Sequence, residues 1–403
     1  MQKVFMILGG SQAQVDAIKA VKKLEMKALV LDINPNAVGF KYADYIEIVS
    51  TTDLPNVERI ARKYSISGVM TFASDTAIPT VCYINEKLGL PNQGIGIGPV
   101  VTDKSLMKEA FLKHNISSPN FLVLNKEQNI QKILPKLQMM LTSGTFIVKP
   151  SDSSGSRGIT KIASIEELEN AIYIAHRFSK NKKVIIEEFI EGDKIGAQCF
   201  SINGKMEMCL INNDTTSNMV AVRHSFPPNL TNEELQRVYS ECRKAISSLG
   251  ITNGPSNLDI MIDKNKKPFI IEVQARCGAS MLPELIQYHS GVDLIELCIK
   301  LACGQDFTIP KLKNNPVAVE MLYFDKNDHV HYDTDKIRQL IHSYQPLEYD
   351  IDLEKGQEVK ALKSSANVYG YVICAGSSVH DAEKKCRELL LDIKDRVISK
   401  ATV

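Results

Sequence analysis

Two carboxylates, an amide and an arginine lie in one short stretch of the sequence: Asp259, Glu272, Gln274 and Arg276. A polar turn, residues 263–268, separates the first from the other three and predicts an antiparallel hairpin. Side chains alternate between the faces of a strand, so the last three share one face and Asp259 can lie opposite Glu272. Charge on a core face is costly unless a counter-charge neutralises it. The hairpin therefore predicts a magnesium–nucleotide site, with a buried salt bridge between Arg276 and the acids as the alternative.

A second segment with chemical potential is a run of serines and glycines, residues 151–158, directly after Lys149 at the end of a predicted strand. Small residues let backbone N–H groups face an anion, hydroxyl groups add donors, and Arg157 supplies a planar charged group. The run is not a P-loop, because its lysine precedes the glycines instead of following them. A flexible linker has the same composition, so the run predicts a phosphate-binding loop with a linker as the alternative.

The first hundred residues alternate predicted strands and helices. Buried strands are predicted at 4–8, 28–31 and 68–72, with an amphipathic helix at 13–24. This rhythm is typical of a doubly wound parallel sheet. The glycine turn at 9–11 lacks the third glycine of G-x-G-x-x-G, which disfavours dinucleotide binding.

Two further segments hold weaker candidates for substrate contact. Asp75 follows a predicted strand at the sheet edge where ligands of such folds bind, and helix N-capping is the alternative role. Arg223 and His224 follow a polar stretch, residues 212–218, that we expect to be flexible. They could contact a substrate carboxylate or be an ordinary pair of loop residues.

A Gly/Pro-rich segment, residues 89–99, predicts a domain boundary, and strands and helices alternate again after it. The predicted helices there are 104–114, 232–249 and 378–398, and a capping box at 164–167 opens another. The predicted strands are 144–150, 184–190, 197–201, 206–211 and 369–374. The sequence has no tandem repeat.

The composition suits a globular enzyme and argues against two classes of partner. Basic and acidic residues nearly balance, 48 against 47, so we expect neither nucleic-acid binding nor attachment to a membrane surface. Nine cysteines without a Cys-x-x-Cys pair indicate thiols kept reduced in the cytoplasm. His329 and His331 alternate on a predicted strand, but without a third ligand they favour surface positions over a zinc site.

Taken in order, these segments resemble the ATP-grasp superfamily, in which an N-terminal α/β domain precedes two α+β lobes that clamp ATP. The family order is a lysine opening a helix, a strand-end lysine, a small-residue loop, an acidic hinge and an acidic hairpin. Here the matching segments are Lys104, Lys149, residues 151–158, residues 187–190 and the hairpin at 259–276. The resemblance covers nearly the whole chain.

The resemblance implies an N-terminal doubly wound parallel α/β domain, a two-lobed ATP-grasp clamp and a C-terminal α+β segment. The implied limits are 1–100 for the first, 101–305 for the clamp, with a lid lobe at about 120–190, and 306–403 for the last.

The resemblance also implies roles for individual residues. ATP would be bound by Lys104, Lys149, Ser153, Ser154, Gly155, Ser156, Glu187, Glu188, Phe189 and Ile190. Asp259, Glu272 and Gln274 would bind two Mg²⁺ ions, or Mn²⁺ in their place. Glu272 and Arg276 would be catalytic, and Asp75, Arg157 and Arg223 are weaker substrate candidates. The family pattern has asparagine where this chain has Gln274, which offers the same amide oxygen on a longer side chain.

The implied activity is that of an ATP-dependent carboxylate–amine ligase. A carboxylate of an amino acid or similar small metabolite becomes an acyl phosphate, and an amine then attacks it to give an amide, ADP and phosphate. Within the superfamily the chain looks most like amino-acid (dipeptide-type) and carbamoyl-phosphate-synthase-like ligases. The alternatives are a purine-pathway carboxylase or ligase and a non-catalytic ATP-binding regulatory protein. The partners would be small molecules, and the resemblance favours a homodimer.

Overall fold

The computed structural model describes residues 2–94, 96–125, 135, 137, 144–330, 334–354 and 356–397. The α-helices there are α1 (Val15–Lys23), α2 (Leu54–Lys63), α3 (Ile78–Leu88), α4 (Ile97–Thr102), α5 (Lys104–Lys113), α6 (Leu168–Phe178), α7 (Asn232–Ser248), α8 (Leu282–Ser290), α9 (Leu294–Ala302), α10 (Thr334–Tyr344) and α11 (Val379–Val397). Among these residues, no helix combines the length and apolar character needed to cross a membrane.

The strands are short in the N-terminal region and longer in the centre of the chain. They are β1 (Val4–Leu8), β2 (Lys27–Asp32), β3 (Tyr45–Ile48), β4 (Gly68–Met70), β5 (Phe121–Asn125), β6 (Phe146–Pro150), β7 (Thr160–Ile162), β8 (Lys183–Glu188), β9 (Gly192–Ile202), β10 (Lys205–Ser217), β11 (Val220–Phe226), β12 (Gly254–Asp263), β13 (Pro268–Gln274), β14 (Val317–Met321), β15 (Asp328–His329), β16 (Glu348–Ile351), β17 (Glu358–Val359) and β18 (Gly370–Ala375).

The N-terminal strands form a parallel sheet in the order β3-β2-β1-β4. Alternate residues of β1 serve the two faces: Phe5 and Ile7 pack with Ile18 of α1, whereas Met6 and Leu8 pack with the α2 and α3 side. Helices thus cover both faces of the sheet, as expected for a sheet whose strands are continuous apolar runs. The predicted doubly wound architecture is confirmed.

A small antiparallel sheet, in the order β5-β8-β6-β7, carries α6 on one face. The predicted capping box is present, because Ser164 and Glu167 exchange side-chain-to-backbone hydrogen bonds before α6. Residues 126–134, 136 and 138–143 of the predicted lid lobe lie outside the described residues. The lid limits therefore stay a prediction.

The central sheet is antiparallel and runs β13-β12-β9-β10-β11-β14-β18-β16. Cys242 of α7 packs with Ala197 of β9 on one side of it, whereas Leu285 of α8 packs with Phe200 on the other. Strands from both sides of residue 305 join this one sheet. The boundaries at 100 and 305 remain predictions.

Two predicted elements differ from the structure. Helix α1 begins at Val15, because residues 12–14 form a 3₁₀ turn before it. The prediction that residues 212–218 are flexible was wrong for most of the stretch, since β10 extends to Ser217 and pairs with β11. Pairing across that hairpin satisfies the backbone of a polar sequence that composition alone would assign to a loop. His331 lies outside the described residues, and His329 ends β15.

Candidate active site

The acidic hairpin has the register that the sequence predicts. In the β12–β13 pair, Asp259 lies opposite Glu272 and Asn257 lies opposite Gln274. Directly opposed residues have Cβ atoms about 5 Å apart, so the two carboxylates leave the sheet side by side. The intervening turn folds on Asp263, whose side chain accepts from the backbone of residues 265 and 267.

Lys104, at the first turn of α5, reaches Glu272. Its Nζ lies 2.9 Å from Glu272 Oε1 and donates to the Ser153 carbonyl oxygen at 2.9 Å. Burial opposes the charged form of both side chains, yet the pKa of Lys104 is raised and that of Glu272 is lowered, because each charge stabilises the other. The lysine therefore joins the acidic hairpin to the serine–glycine loop as one charged site.

Lys149 and Glu187 form a buried ion pair at the centre of the small sheet. The Nζ of Lys149 lies 2.5 Å from Glu187 Oε1, and both side chains are almost fully buried. Lys108 adds a second ammonium group, 3.3 Å from Glu187 Oε2. Burial would raise the pKa of Glu187, but Lys108 and Lys149 together hold it below its ordinary value. Two cations therefore share one carboxylate, which leaves this buried group with a net positive charge.

Lys108 is a residue that sequence reasoning missed. It is completely buried, and burial lowers its pKa from 10.5 to about 8 against the opposing effect of Glu187. The available signal was its spacing, because Lys108 follows Lys104 by four residues on α5 and so lies on the same helix face. A lysine on a helix of mixed polarity would ordinarily be assigned to the surface.

Arg276 connects the hairpin to the N-terminal domain. Its Nε donates to Asp75 Oδ1 at 2.8 Å, and its Nη1 donates to the Cys277 carbonyl oxygen. Burial would lower the pKa of Arg276, but the nearby Asp75 raises it, so the buried guanidinium group stays charged. The capping alternative for Asp75 is wrong: α3 has Ala77 at its N-cap position and no side-chain cap. The tertiary fold instead brings Asp75 into the candidate site.

Gln274 belongs to a chain of three buried amides. Gln198 Nε2 donates to Asn257 Oδ1 at 2.6 Å, and Asn257 Nδ2 donates to Gln274 Oε1. The amide oxygen of Gln274 is thus already engaged by a neighbouring strand. Metal binding through this oxygen would require the amide chain to rearrange, whereas the carboxylates of Asp259 and Glu272 need only exchange their lysines.

A second group extends the site across β9, β10 and β11, and of its members on these strands only His224 was a candidate from the sequence. Lys194 Nζ lies 3.6 Å from Asp259 Oδ2 and 3.8 Å from Asp214 Oδ2, and Asp214 Oδ1 lies 2.5 Å from His224 Nδ1. Burial would lower the pKa of Lys194, but Asp259 and Asp214 raise it above its ordinary value. The sequence held no spacing signal for this group, because register between three strands brings it together.

The loop at 151–158 and the hinge at 187–190 lie beside these charges. Two of the weaker substrate candidates, Arg157 and Arg223, make their hydrogen bonds elsewhere. Ser156 donates to the Met219 carbonyl oxygen at 3.0 Å, which seats the loop on the β10–β11 turn. Arg157 is exposed and donates to the Ser154 carbonyl oxygen at 3.1 Å. Arg223 makes two hydrogen bonds of 3.0 Å to Glu320, so a structural salt bridge already engages its guanidinium group.

The hinge begins in the last two residues of β8, Glu187 and Glu188, and continues through Phe189 and Ile190. Glu188 N donates to the Asn120 carbonyl oxygen at 2.9 Å, Phe189 N donates to the Thr145 carbonyl oxygen at 3.1 Å, and Ile190 is buried. The Lys161 ammonium lies 3.5 Å from the centre of the Phe189 ring. This segment, to which the resemblance assigns part of the ATP binding, therefore has a fixed backbone between the two sheets.

Comparison with known proteins identifies the domain that these groups build. The sequence pattern described as "ATP-grasp domain" matches residues 142–284, which include the loop, the hinge and the hairpin. This match assigns residues 142–284 to the ATP-grasp domain family. The expected resemblance and the mixed α/β fold are confirmed.

Relatives of this chain include proteins with and without a named activity. Uncharacterized protein y4rH of Sinorhizobium fredii is 23% identical over 78% of this chain, which spans 66% of that protein. D-alanine–D-alanine ligase of Geobacter sulfurreducens is 25% identical over 76% of this chain and 95% of the ligase. The crystal structure of L-amino acid ligase from Bacillus licheniformis matches with a TM-score of 0.80 at 18% identity, covering 99% of this chain and 98% of the other. At this identity the structural likeness shows the fold.

Proposed function

We propose that the protein is an ATP-dependent carboxylate–amine ligase that activates a small carboxylate as an acyl phosphate. The observation that carries the proposal is the pair of carboxylates on the hairpin. Asp259 lies opposite Glu272, Lys194 lies beside Asp259, and Lys104 lies beside Glu272. Paired carboxylates flanked by ammonium groups suit a divalent cation and a polyphosphate together. The matching relatives named as ligases support the same activity.

The donor set fits magnesium in part. Asp259 and Glu272 offer the hard oxygen ligands that Mg²⁺ prefers, whereas the oxygen of Gln274 accepts from Asn257. We therefore assign Mg²⁺ to the two carboxylates and leave Gln274 outside the ligand set; two ions, or Mn²⁺ in place of Mg²⁺, are the finer form of this proposal. Bound there, Mg²⁺ would neutralise phosphate oxygens of ATP.

The remaining steps belong to residues of the chain. Lys104 and Lys149 supply positive charge to ATP oxygens, which allows a substrate carboxylate to attack the γ-phosphoryl group. Arg276, held by Asp75, stabilises the negative charge that develops when an amine attacks the acyl phosphate. The loop at 151–158 covers this centre from the β10–β11 turn and excludes water, which would otherwise hydrolyse the acyl phosphate.

The proposed substrates are an amino acid, or a similar small carboxylate, and a second amine-bearing molecule. The D-alanine–D-alanine ligase and L-amino acid ligase relatives support this class. A purine-pathway ligase is the enzymatic alternative, and an ATP-binding regulatory protein without turnover is the non-enzymatic one.

The test measures phosphate release from ATP, in the presence of magnesium, with a panel of carboxylate and amine pairs. We expect release that depends on both partners, and we expect Glu272→Gln to lose it while ATP still raises the melting temperature. Glu207→Gln, an exposed glutamate on β10 of the same sheet, is the matched control. A panel in which no pair exceeds the background rate would reject the ligase, and normal turnover by Glu272→Gln would reject its metal role.

We further propose a homodimer and a cytoplasmic location. Strand β3 is an edge of the N-terminal sheet, and its Tyr45, Ile46 and Ile48 are 39%, 50% and 61% exposed. An apolar edge strand can pair with its symmetric copy. Light scattering should give twice the mass of one chain for the native protein and the mass of one chain for Ile46→Lys. A native protein with the mass of one chain would reject the dimer.

The nine free thiols support a location in the cytoplasm, which cell fractionation would test.

A further inference from the structure

Three cysteine thiols meet on the face of the central sheet that α7 covers. The buried amides of the candidate active site, Gln198, Asn257 and Gln274, lie on the opposite face. Cys199 of β9 lies directly opposite Cys209 of β10, and Cys242 of α7 packs onto both. Their three sulfur atoms all lie within 4.8 Å of one another. Cys199 and Cys242 are buried, and Cys209 is partly exposed.

The spacing of the sulfurs matches a coordination sphere closely. Three thiolates each about 2.3 Å from one ion lie roughly 4 Å from each other, so a contraction of less than about 1 Å closes the triangle. Small side-chain rotations supply that movement without shifting the two strands or the helix. We propose that Cys199, Cys209 and Cys242 form a binding site for one thiophilic metal ion, Cu⁺ or Zn²⁺.

The ligand set decides the class of ion. The group holds three sulfurs and, within the described part of the chain, no histidine or carboxylate that meets the same distance limit. Thiolates without oxygen or imidazole partners select soft ions such as Cu⁺ and Zn²⁺ over Mg²⁺. Three ligands suffice for Cu⁺, whereas Zn²⁺ prefers four and would take a water molecule as the fourth.

Other cysteines of the chain lack this arrangement and serve as comparisons. Cys277 and Cys298 form a pair with sulfurs 3.6 Å apart, which offers two ligands. Cys386 donates to the carbonyl oxygen of Ala318 at 3.3 Å, so a backbone hydrogen bond already engages its thiol. The ordinary role of a buried thiol is packing as a small apolar side chain, and these residues fit it.

The bound ion would join α7 to β9 and β10, the strands that also carry Lys194 and Asp214 of the candidate active site. The predicted consequence is a higher melting temperature in the metal-bound form, because an ion that binds only the folded state stabilises it. This inference is independent of the proposed ligase activity, since it is tested by binding and stability alone.

The experiment uses the full chain, reduced and free of oxygen, titrated separately with Cu⁺ and with Cd²⁺ as the spectroscopic substitute for Zn²⁺. We expect ultraviolet thiolate-to-metal absorbance that saturates at one equivalent, together with a raised melting temperature. Cys199→Ser, Cys209→Ser and Cys242→Ser should each weaken binding more than about 100-fold. Cys298→Ser and Cys386→Ser are the controls and should bind as the native chain does.

Two results would overturn the site. The first is a native chain that shows no saturable absorbance with either ion, which would leave the three thiols as packing residues. The second is a loss of binding in Cys298→Ser with retention in Cys209→Ser, which would move the ion to the other pair. X-ray absorption of the loaded native chain avoids any folding defect of the variants: three sulfur neighbours are expected, and two would contradict the cluster.

Discussion

Lys108 offers a quantitative test of the buried charge in the candidate active site. Its ammonium group is fully buried beside Glu187, and burial lowers its pKa from 10.5 to about 8. Replacement by methionine keeps most of the side-chain volume and removes the titrating group. The difference in stability between the native chain and Lys108→Met should therefore change with pH, whatever its value at neutral pH.

The sign and size of that change follow from proton linkage. Below pH 8, Lys108 is protonated in both the folded and the unfolded chain. Between about pH 8 and 10.5, the unfolded chain keeps the proton and the folded chain has lost it, so native stability rises with pH. For these two pKa values the free energy of unfolding of the native chain should rise, relative to Lys108→Met, by about 2 kcal/mol from pH 7.5 to 9.5.

The assay is urea unfolding followed by far-ultraviolet circular dichroism at pH 7.5 and 9.5. Lys113→Met, an exposed lysine on the same helix, is the matched control and should show the same difference from the native chain at both pH values. If Lys108→Met differs from the native chain by the same amount at both pH values, to within about 0.5 kcal/mol, Lys108 is not a buried cation with a depressed pKa.

Three further predictions concern other parts of the chain. Burial raises the pKa of Glu284 to about 7, so the native fold loses stability as pH rises through 7. Glu284→Gln should therefore raise the melting temperature at pH 8 and have little effect on it at pH 4. Equal effects at both pH values would contradict this explanation. A Cβ at Gly192 would lie 1.8 Å from the Ile262 carbonyl oxygen, whereas one at Gly204 meets open space. Both glycines have positive φ, so urea unfolding should find Gly192→Ala less stable than Gly204→Ala by about 3 kcal/mol, and equal costs would remove the steric explanation. Thr231 caps α7, so Thr231→Ala should cost about 1 kcal/mol in the same assay, and no change in the urea midpoint would show that the cap is dispensable.

The elements that local sequence specifies were predicted well. The hairpin register that sets Asp259 against Glu272 follows from alternation and a polar turn, and both lie where predicted. The helix opened by Lys104 is also present, with Asp103 as its cap. These features depend on neighbouring residues, so patterns of a few positions suffice to find them.

The partners of individual side chains were much harder to predict. The bond between Arg276 and Asp75 joins residues 201 positions apart, and Lys194 meets Asp214 and Asp259 only because three strands have one particular register. The sequence left Arg223 as a candidate for substrate contact. Its partner Glu320 could not be recognised, because it lies on a strand almost a hundred residues later. Local composition carries no information about such pairs.

The sequence by itself determined the order of the motifs that resemble ATP-grasp proteins, the parallel N-terminal sheet and the carboxylates of the hairpin, because each depends on short-range periodicity or spacing. Only the tertiary structure decided which charges meet. It buried Lys108 against Glu187, engaged the Gln274 oxygen with Asn257 and assembled three cysteines from β9, β10 and α7. Such groupings arise where strands and helices pack, and the free energy of packing is a property of the whole fold.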